Sequence, residues 1–277
     1  MMPYVLLIPV ILIWGLTKAV PLIMAAWLSL QKTDYIISQF TGLKNYVTIF
    51  TDPAVVIALK NTLIYEALIV VPFVAFALFM ALLISDLNKK VQHVARFFVY
   101  LPNFVCGIII ANSWKWIFHP KAGLVNWLLS FANIEPVRWW TTAATSILPI
   151  SMIQILTASG GCIVLFLATL TGIDKQLIEA AKMDGASEFQ MKRFIKLPII
   201  APTIALLSML AMIGTMQIFE WIYMLAPYTY ASTITYQIYH HGFLYGRPGM
   251  AAAQSMVLFA LIAVLTVIQK RLQKWQF

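Results

Sequence analysis

Charge is scarce in this chain. Of its 277 residues only 10% are Asp, Glu, Lys or Arg, and the 10 acidic residues are outnumbered by 19 basic ones. A soluble domain carries roughly a quarter charged residues, so a water-facing globule is excluded. The 61% of hydrophobic residues point instead to a polytopic membrane protein. Cysteine is nearly absent too. Cys106 and Cys162 both fall inside apolar runs, where they read as small buried hydrophobes and not as a disulfide or a metal pair. No Gly-rich loop ending in Gly-Lys-Ser/Thr occurs, which excludes nucleotide binding in the P-loop manner. His240 and His241 are adjacent, so their rings diverge, and no spaced carboxylate pair accompanies them; no metal site is expected. The basic residues are scattered and form no basic face, so the net charge of +9 does not imply nucleic acid. Residues 1–30 lack a basic n-region and a small-x-small cleavage site, and are read as a retained first span, not a signal peptide.

Six apolar runs are present, at about 3–30, 57–85, 97–118, 143–170, 200–225 and 249–269. A span needs roughly 20 apolar residues, so the expectation is an all-α bundle of about six transmembrane helices forming one domain over 1–277. Lys89, Lys90 and Arg96, the group from Lys175 to Lys196, and Lys270, Arg271 and Lys274 fall on one side of that topology. A thinner scatter from Lys32 to Arg247 falls on the other. Basic residues collect on the cytoplasmic side, which places both termini and the loop 171–199 inside. Trp114, Trp116, Trp127, Trp139 and Trp140 crowd the opposite side, as expected of rings anchored at a lipid–water interface.

The loop 171–199 is polar and charged between two oily spans. Gln176 to Met183 has good helix propensity. Asp174 is placed to cap its start, and Gly185 suits a left-handed turn at its end. A second helix is expected from Ser187, with Leu197-Pro198 restricting the backbone before the next span. Small Ala180 and Ala181 allow close approach of a partner surface, and Glu179 and Asp184 are placed to meet its basic groups.

Ionisable residues inside spans cost roughly 2.5–3.5 kcal/mol on insertion scales and are functional candidates by default. Lys18, Glu66 and Glu220 qualify, the first two either snorkelling or pairing with each other. Around Glu220 lie Thr215, Gln217, Ile218 and Tyr223, a mixture of carboxylate, amide, hydroxyl and aromatic ring suited to gripping sugar. A second polar cluster, Gln154, Thr157, Ser159, Gly160 and Gly161, sits in the fourth run, where two glycines permit close backbone approach.

Glu179-Ala180-Ala181, Asp184-Gly185-Ala186 and Ile195-x-Leu197-Pro198 resemble the signature loop of binding-protein-dependent ABC importer permeases. Thr41-Gly42-Leu43-x-Asn45-Tyr46, Asp52-Pro53, Asn61-Thr62, Arg96-Phe97 with Leu101-Pro102, and Gly246 to Ala253 are similar to the carbohydrate-importer branch, in order along the whole chain. The chain departs from the pattern at Leu225 to Thr229, where relatives carry a glycine-rich turn, and in lacking a basic N-terminal tail. The resemblance implies a type I importer permease fold in a bacterial or archaeal inner membrane. It implies that Glu179, Ala180, Ala181, Asp184, Gly185, Leu197 and Pro198 couple to an ATPase. It also places the stretches Gln154–Gly161 and Thr215–Ile218 on the walls of a sugar site. The implied partners are a second homologous permease, two ATP-binding subunits that use ATP and Mg, and an extracytoplasmic solute-binding protein. This chain itself is expected to be non-enzymatic and without a cofactor. The alternative is a secondary transporter driven by an ion gradient through Glu66 and Glu220.

Overall fold

The structure is a computed structural model that describes residues 2–226 and 231–273. Lys274 and the turn residues Pro227, Tyr228 and Thr229 lie outside them. Among the described residues four helices are long and apolar enough to cross a membrane: Leu7–Leu28, Pro53–Ser85, Glu188–Leu225 and Pro248–Leu272. Two bent helix pairs raise the number to six if each is one span. The chain divides into two compact units, Met1–Thr62 with Ser232–Val267, and Leu63–Ala231 with Ile268–Phe277.

In the first unit α1 (Met2–Trp14) and α2 (Val20–Leu28) are joined by a π-helical turn at Gly15–Ala19, and Lys18 lies exposed on it. A short antiparallel hairpin follows, β1 (Gln31–Thr33) and β2 (Ser38–Phe40), then α3 (Lys44–Thr51). The hairpin is an exception to the expected all-helical chain. The motif residues explain themselves here. Asn45 Nδ2 donates to the carbonyls of Ser29 and Gln31, both at 2.8 Å, and the Tyr46 hydroxyl meets Ser29 Oγ at 2.8 Å. Asn61 Nδ2 reaches Ser232 O at 3.0 Å and Thr62 Oγ1 accepts from Ile234 N at 3.0 Å. A Cβ on Gly249 would stand 2.0 Å from Gln31 O, so only glycine lets the last helix start there.

The second unit holds most of α4 (Pro53–Ser85), followed by α5 (Lys89–Tyr100), α6 (Gly107–Ile117), α7 (Leu124–Ser130), α8 (Ala143–Ala158) and α9 (Gly160–Thr171). Then come α10 (Lys175–Met183), α11 (Glu188–Met191), α12 (Leu197–Met216) and α13 (Glu220–Leu225). In the first unit α14 (Ile234–Tyr239) follows, and α15 (Pro248–Gln273) closes the chain. Buried Ala77 and Ala81 of α4 let its backbone approach Ile163, Phe166 and Leu167 of α9 and Ile200 and Leu207 of α12. Two runs differ from the straight spans expected. The third bends by 95° between Lys89–Phe104 and Gly107–Ile117, where Pro102 sits in a 3₁₀ turn. The fourth bends by 45° between α8 and α9. The expected loop 86–96 is mostly helix, because Asn88 accepts from Val91 N at 2.9 Å and caps α5.

The tryptophans do not act as one group. Trp116 and Trp127 are exposed, but Trp139 and Trp140 pack edge-on against buried Phe118, at 5.2 and 5.6 Å. Trp139 Nε1 also donates to Asn126 Oδ1 at 3.0 Å. Their role is to close the loop between the third and fourth spans, because the rings find partners within the chain.

Candidate functional site

The loop from Thr171 to Leu197 assembles from local signals. Asp174 accepts from Gln176 N at 2.9 Å and starts α10. Asp184 closes it, Gly185 turns left-handed at φ +79°, and Ala186 N returns to Ala181 O at 3.0 Å, the pairing of a Schellman-type stop. Ser187 and Gln190 then form a reciprocal capping box for α11, with Ser187 N to Gln190 Oε1 at 2.8 Å. The second helix is shorter than expected. After one α-turn it widens into a π turn, Lys192–Lys196, and runs straight into α12. Leu197 and Pro198 are therefore the first residues of the next span and no break precedes them, since proline is tolerated in a first helical turn.

No residue of α10 is buried; Glu179, Ala180 and Asp184 face solvent, and Leu177, Met183 and Phe189 are large exposed hydrophobics. Asp86, at the end of α4, binds Lys192 Nζ at 2.5 Å and Lys196 Nζ at 3.1 Å. Burial raises the Asp86 carboxyl's affinity for a proton, but hydrogen bonds from Lys192 and Lys196 outweigh it and leave the pKa below its ordinary 3.8.

The mid-span polar residues separate into three places. Gln154 and Thr215 line one cavity of about 230 Å³ with Phe73, Ala158, Cys162 and Gly214. Gln154 Oε1 accepts a hydrogen bond from Trp221 Nε1. Thr157 and Gly161 instead face Asn103, whose amide, turned to suit its neighbours, donates to Thr157 O at 3.1 Å and accepts from Gly161 N at 3.2 Å. Gly160 packs so tightly that a Cβ would lie 2.4 Å from Val99 O.

The helix α12 ends at Met216, and Gln217-Ile218-Phe219 is an unwound break before α13. Glu220, the first residue of α13, is exposed, and its carboxylate overhangs Gly107, where a Cβ would fall 2.1 Å from Oε2. Gln217 and Tyr223 are exposed, whereas Ile218 is buried. Phe219 and Tyr223 stack at 5.3 Å. Asn103, Gly107 and Trp221, which touch the candidate residues, were not among the sequence expectations. The signal available was Asn103 and Gly107 flanking the Pro102 bend. Glu66 Oε2 is buried without a hydrogen-bond partner, and neither Glu66 nor Lys18 forms an ion pair among the described residues.

The chain is thus a helical membrane protein with a self-capped, exposed loop ahead of α12. Residues 73–276 match the binding-protein-dependent transport system inner membrane component family, and the chain belongs to it. It is 32% identical over 98% of its length to the inner membrane ABC transporter permease protein YcjO of Escherichia coli, covering 94% of that protein. It is 26% identical to the trehalose/maltose transport system permease protein MalF of Thermococcus litoralis, over 99% of this chain and 94% of the relative. Among solved structures it is similar to a chain of a bacterial alginate ABC transporter in complex with an alginate pentasaccharide-bound periplasmic protein. That match has TM-score 0.84 and 27% identity, and covers 97% of this chain and 92% of that one. The family and the fold are those of an ABC importer permease, and the reading of an ion-driven secondary transporter through Glu66 and Glu220 falls away.

Proposed function

We propose that this chain is one of two permease subunits of a carbohydrate importer, a single permease domain whose 171–199 loop is its coupling element and whose termini are cytoplasmic. Two partner subunits hydrolyse ATP with Mg, and this chain holds no cofactor. When they close on ATP, α10 is drawn with them through Glu179, Ala180, Ala181 and Asp184, while Leu197 and Pro198 pass the motion directly into α12. The spans rock and the cavity opens toward a docked extracytoplasmic solute-binding protein; reopening of the ATPases returns it.

The observation that carries this reading is α10 itself, capped at both ends and offered to solvent in a chain of this family. The carbohydrate cargo is supported by the sugars named for the relatives and by the chemistry of Gln154, Thr157, Gly161, Thr215, Gln217, Ile218, Glu220 and Tyr223. A cavity of about 230 Å³ is smaller than the roughly 300–1,000 Å³ of ordinary ligand sites. That argues for a second wall from the partner permease. Within the first unit a polar cleft of about 640 Å³ lined by Lys32, Lys44 and Arg247 is available to the binding protein.

Glu179→Lys tests the reading. In proteoliposomes holding the whole importer, ATP-driven uptake is expected to fall at least about ten-fold while the ATPases keep hydrolysing or detach. Uptake at the wild-type rate rejects the coupling assignment.

A further inference from the structure

Resting on the importer reading, we propose that Asp86 is a positioning residue for coupling: its carboxylate sets the angle at which the loop 171–199 is held to the membrane body. The loop has few fastenings. No residue of α10 is buried, and of α11 only Met191 is, at 2% exposure. Among the described residues, the loop's ion pairs to another part of the chain are the two made by Asp86. The lysines sit four apart on the π turn, closed by Leu197 N–H donating to Lys192 O, and each takes a different oxygen of the same carboxylate. A single pair permits rotation about its axis; two ammonium groups on two oxygens fix it.

Asp86 is itself held. Gln92 Nε2 donates to Ser85 O at 3.0 Å and to Leu87 O at 2.8 Å, bracketing Asp86 at the end of α4. The side chains at this junction are only partly buried, at 28%, 15% and 35% exposure for Lys192, Lys196 and Asp86. Ion pairs this wet add little to folding stability, so their value lies in geometry. Ser85, Asp86, Met191 and Lys196 share the wall of a cavity of about 380 Å³ with Ile178 and Lys182 of α10. That space separates part of α10 from the end of α4, so the Asp86 carboxylate is the charged link between the π turn and α4. Single π turns recur at functional sites, and this one brings both lysines to bear on one acid.

The test uses the assembled importer in proteoliposomes, reading sugar transported per ATP hydrolysed. Asp86→Asn is expected to lower that ratio at least about five-fold, with ATPase activity kept within about two-fold and the recovery of complex unchanged. Asp86→Glu should retain most of the ratio, and Asp86→Lys combined with Lys192→Glu and Lys196→Glu should restore part of it. An unchanged ratio in Asp86→Asn overturns the proposal, as does a loss of assembly shared by Asp86→Asn and the Lys192→Ala/Lys196→Ala variant. Wild-type complex without ATP-dependent uptake would overturn the importer reading and this inference with it; coupled wild type beside a coupled Asp86→Asn overturns Asp86 alone.

Discussion

The loop 171–199 and the mid-span polar residues sit in the same unit of the chain and are built differently. In the loop, the ends of the short helices are set by neighbours in sequence: Asp174 on Gln176, Gly185 on the end of α10, Ser187 on Gln190. Among the mid-span residues, long-range contacts take part as well, as when Trp221 reaches Gln154 across 67 residues. The loop is exposed, whereas Gly160 is packed against the backbone of Val99. A loop of the first kind keeps its shape whatever lies around it. Contacts of the second kind change whenever the helices shift.

The largest effect expected from breaking this contrast is at Gly185. A β-branched residue at φ +79° costs on the order of 1–2 kcal/mol or more, although nothing lies within 4 Å of its Cβ. Gly185→Val should reduce ATP-driven uptake more than ten-fold, with the membrane-embedded part intact by thermal melting; Gly185→Asn, which tolerates a left-handed turn, should keep most activity. Equal activity in the two variants would show that the turn does not matter.

Next comes the packed side. Gly160→Ala must displace Val99 O, 2.4 Å from the new methyl, and overpacking of that kind costs about 1–3 kcal/mol. Gly161→Ala meets only side-chain atoms at ordinary contact distance, the Asn103 amide at 3.5 Å and Tyr100 Cε2 at 3.8 Å, and should be nearly silent. A lower melting temperature in the first and not the second is the expected outcome; equal melting in the two variants would remove the close approach from the account.

A smaller effect is expected from Glu220→Ala, which removes an exposed carboxylate while relieving nothing. Uptake should weaken several-fold with assembly unchanged, and unaltered uptake would take Glu220 out of the cargo path.

The smallest effect is one of pH. The folded Asp86 carboxyl has its pKa lowered from 3.8, so its contribution is complete above that value and is lost as pH falls through the lower, folded one. Loop mobility measured by hydrogen exchange should therefore stay constant from neutral pH down to about 4 and rise only below it; in Asp86→Asn the step should be absent.

How far the sequence led follows from the same contrast. The loop's caps and its left-handed glycine could be read because propensity and capping act within a few residues. The bends could not be timed from hydropathy, which is blind to direction: Pro102 and Gly107 stand inside an apolar run that looks continuous. Lys89 to Arg96 reads as loop by charge, yet a single Asn88 cap makes it helix. The hairpin escaped because two strands of three residues are too short to show alternation, and Tyr35 turns it at φ +74°. The carboxylate, amide and aromatic residues around Glu220 were visible as composition. That Thr157 and Gly161 would look toward Asn103, away from the Gln154 cavity, depended on which faces the bent helices present.

The π turn at Lys192–Lys196 carries one residue more than an α-turn over the same advance. Each residue of an α-helix swings its side chain by about 100° around the axis. That one residue is therefore a phase setting between the span beginning at Leu197 and everything before it. Removing it would leave the caps of α10 and α11 intact, yet turn the loop against the span by more than a quarter of a circle and carry Lys192 away from Asp86. A single deletion there would change how the loop is aimed without touching the caps that shape it.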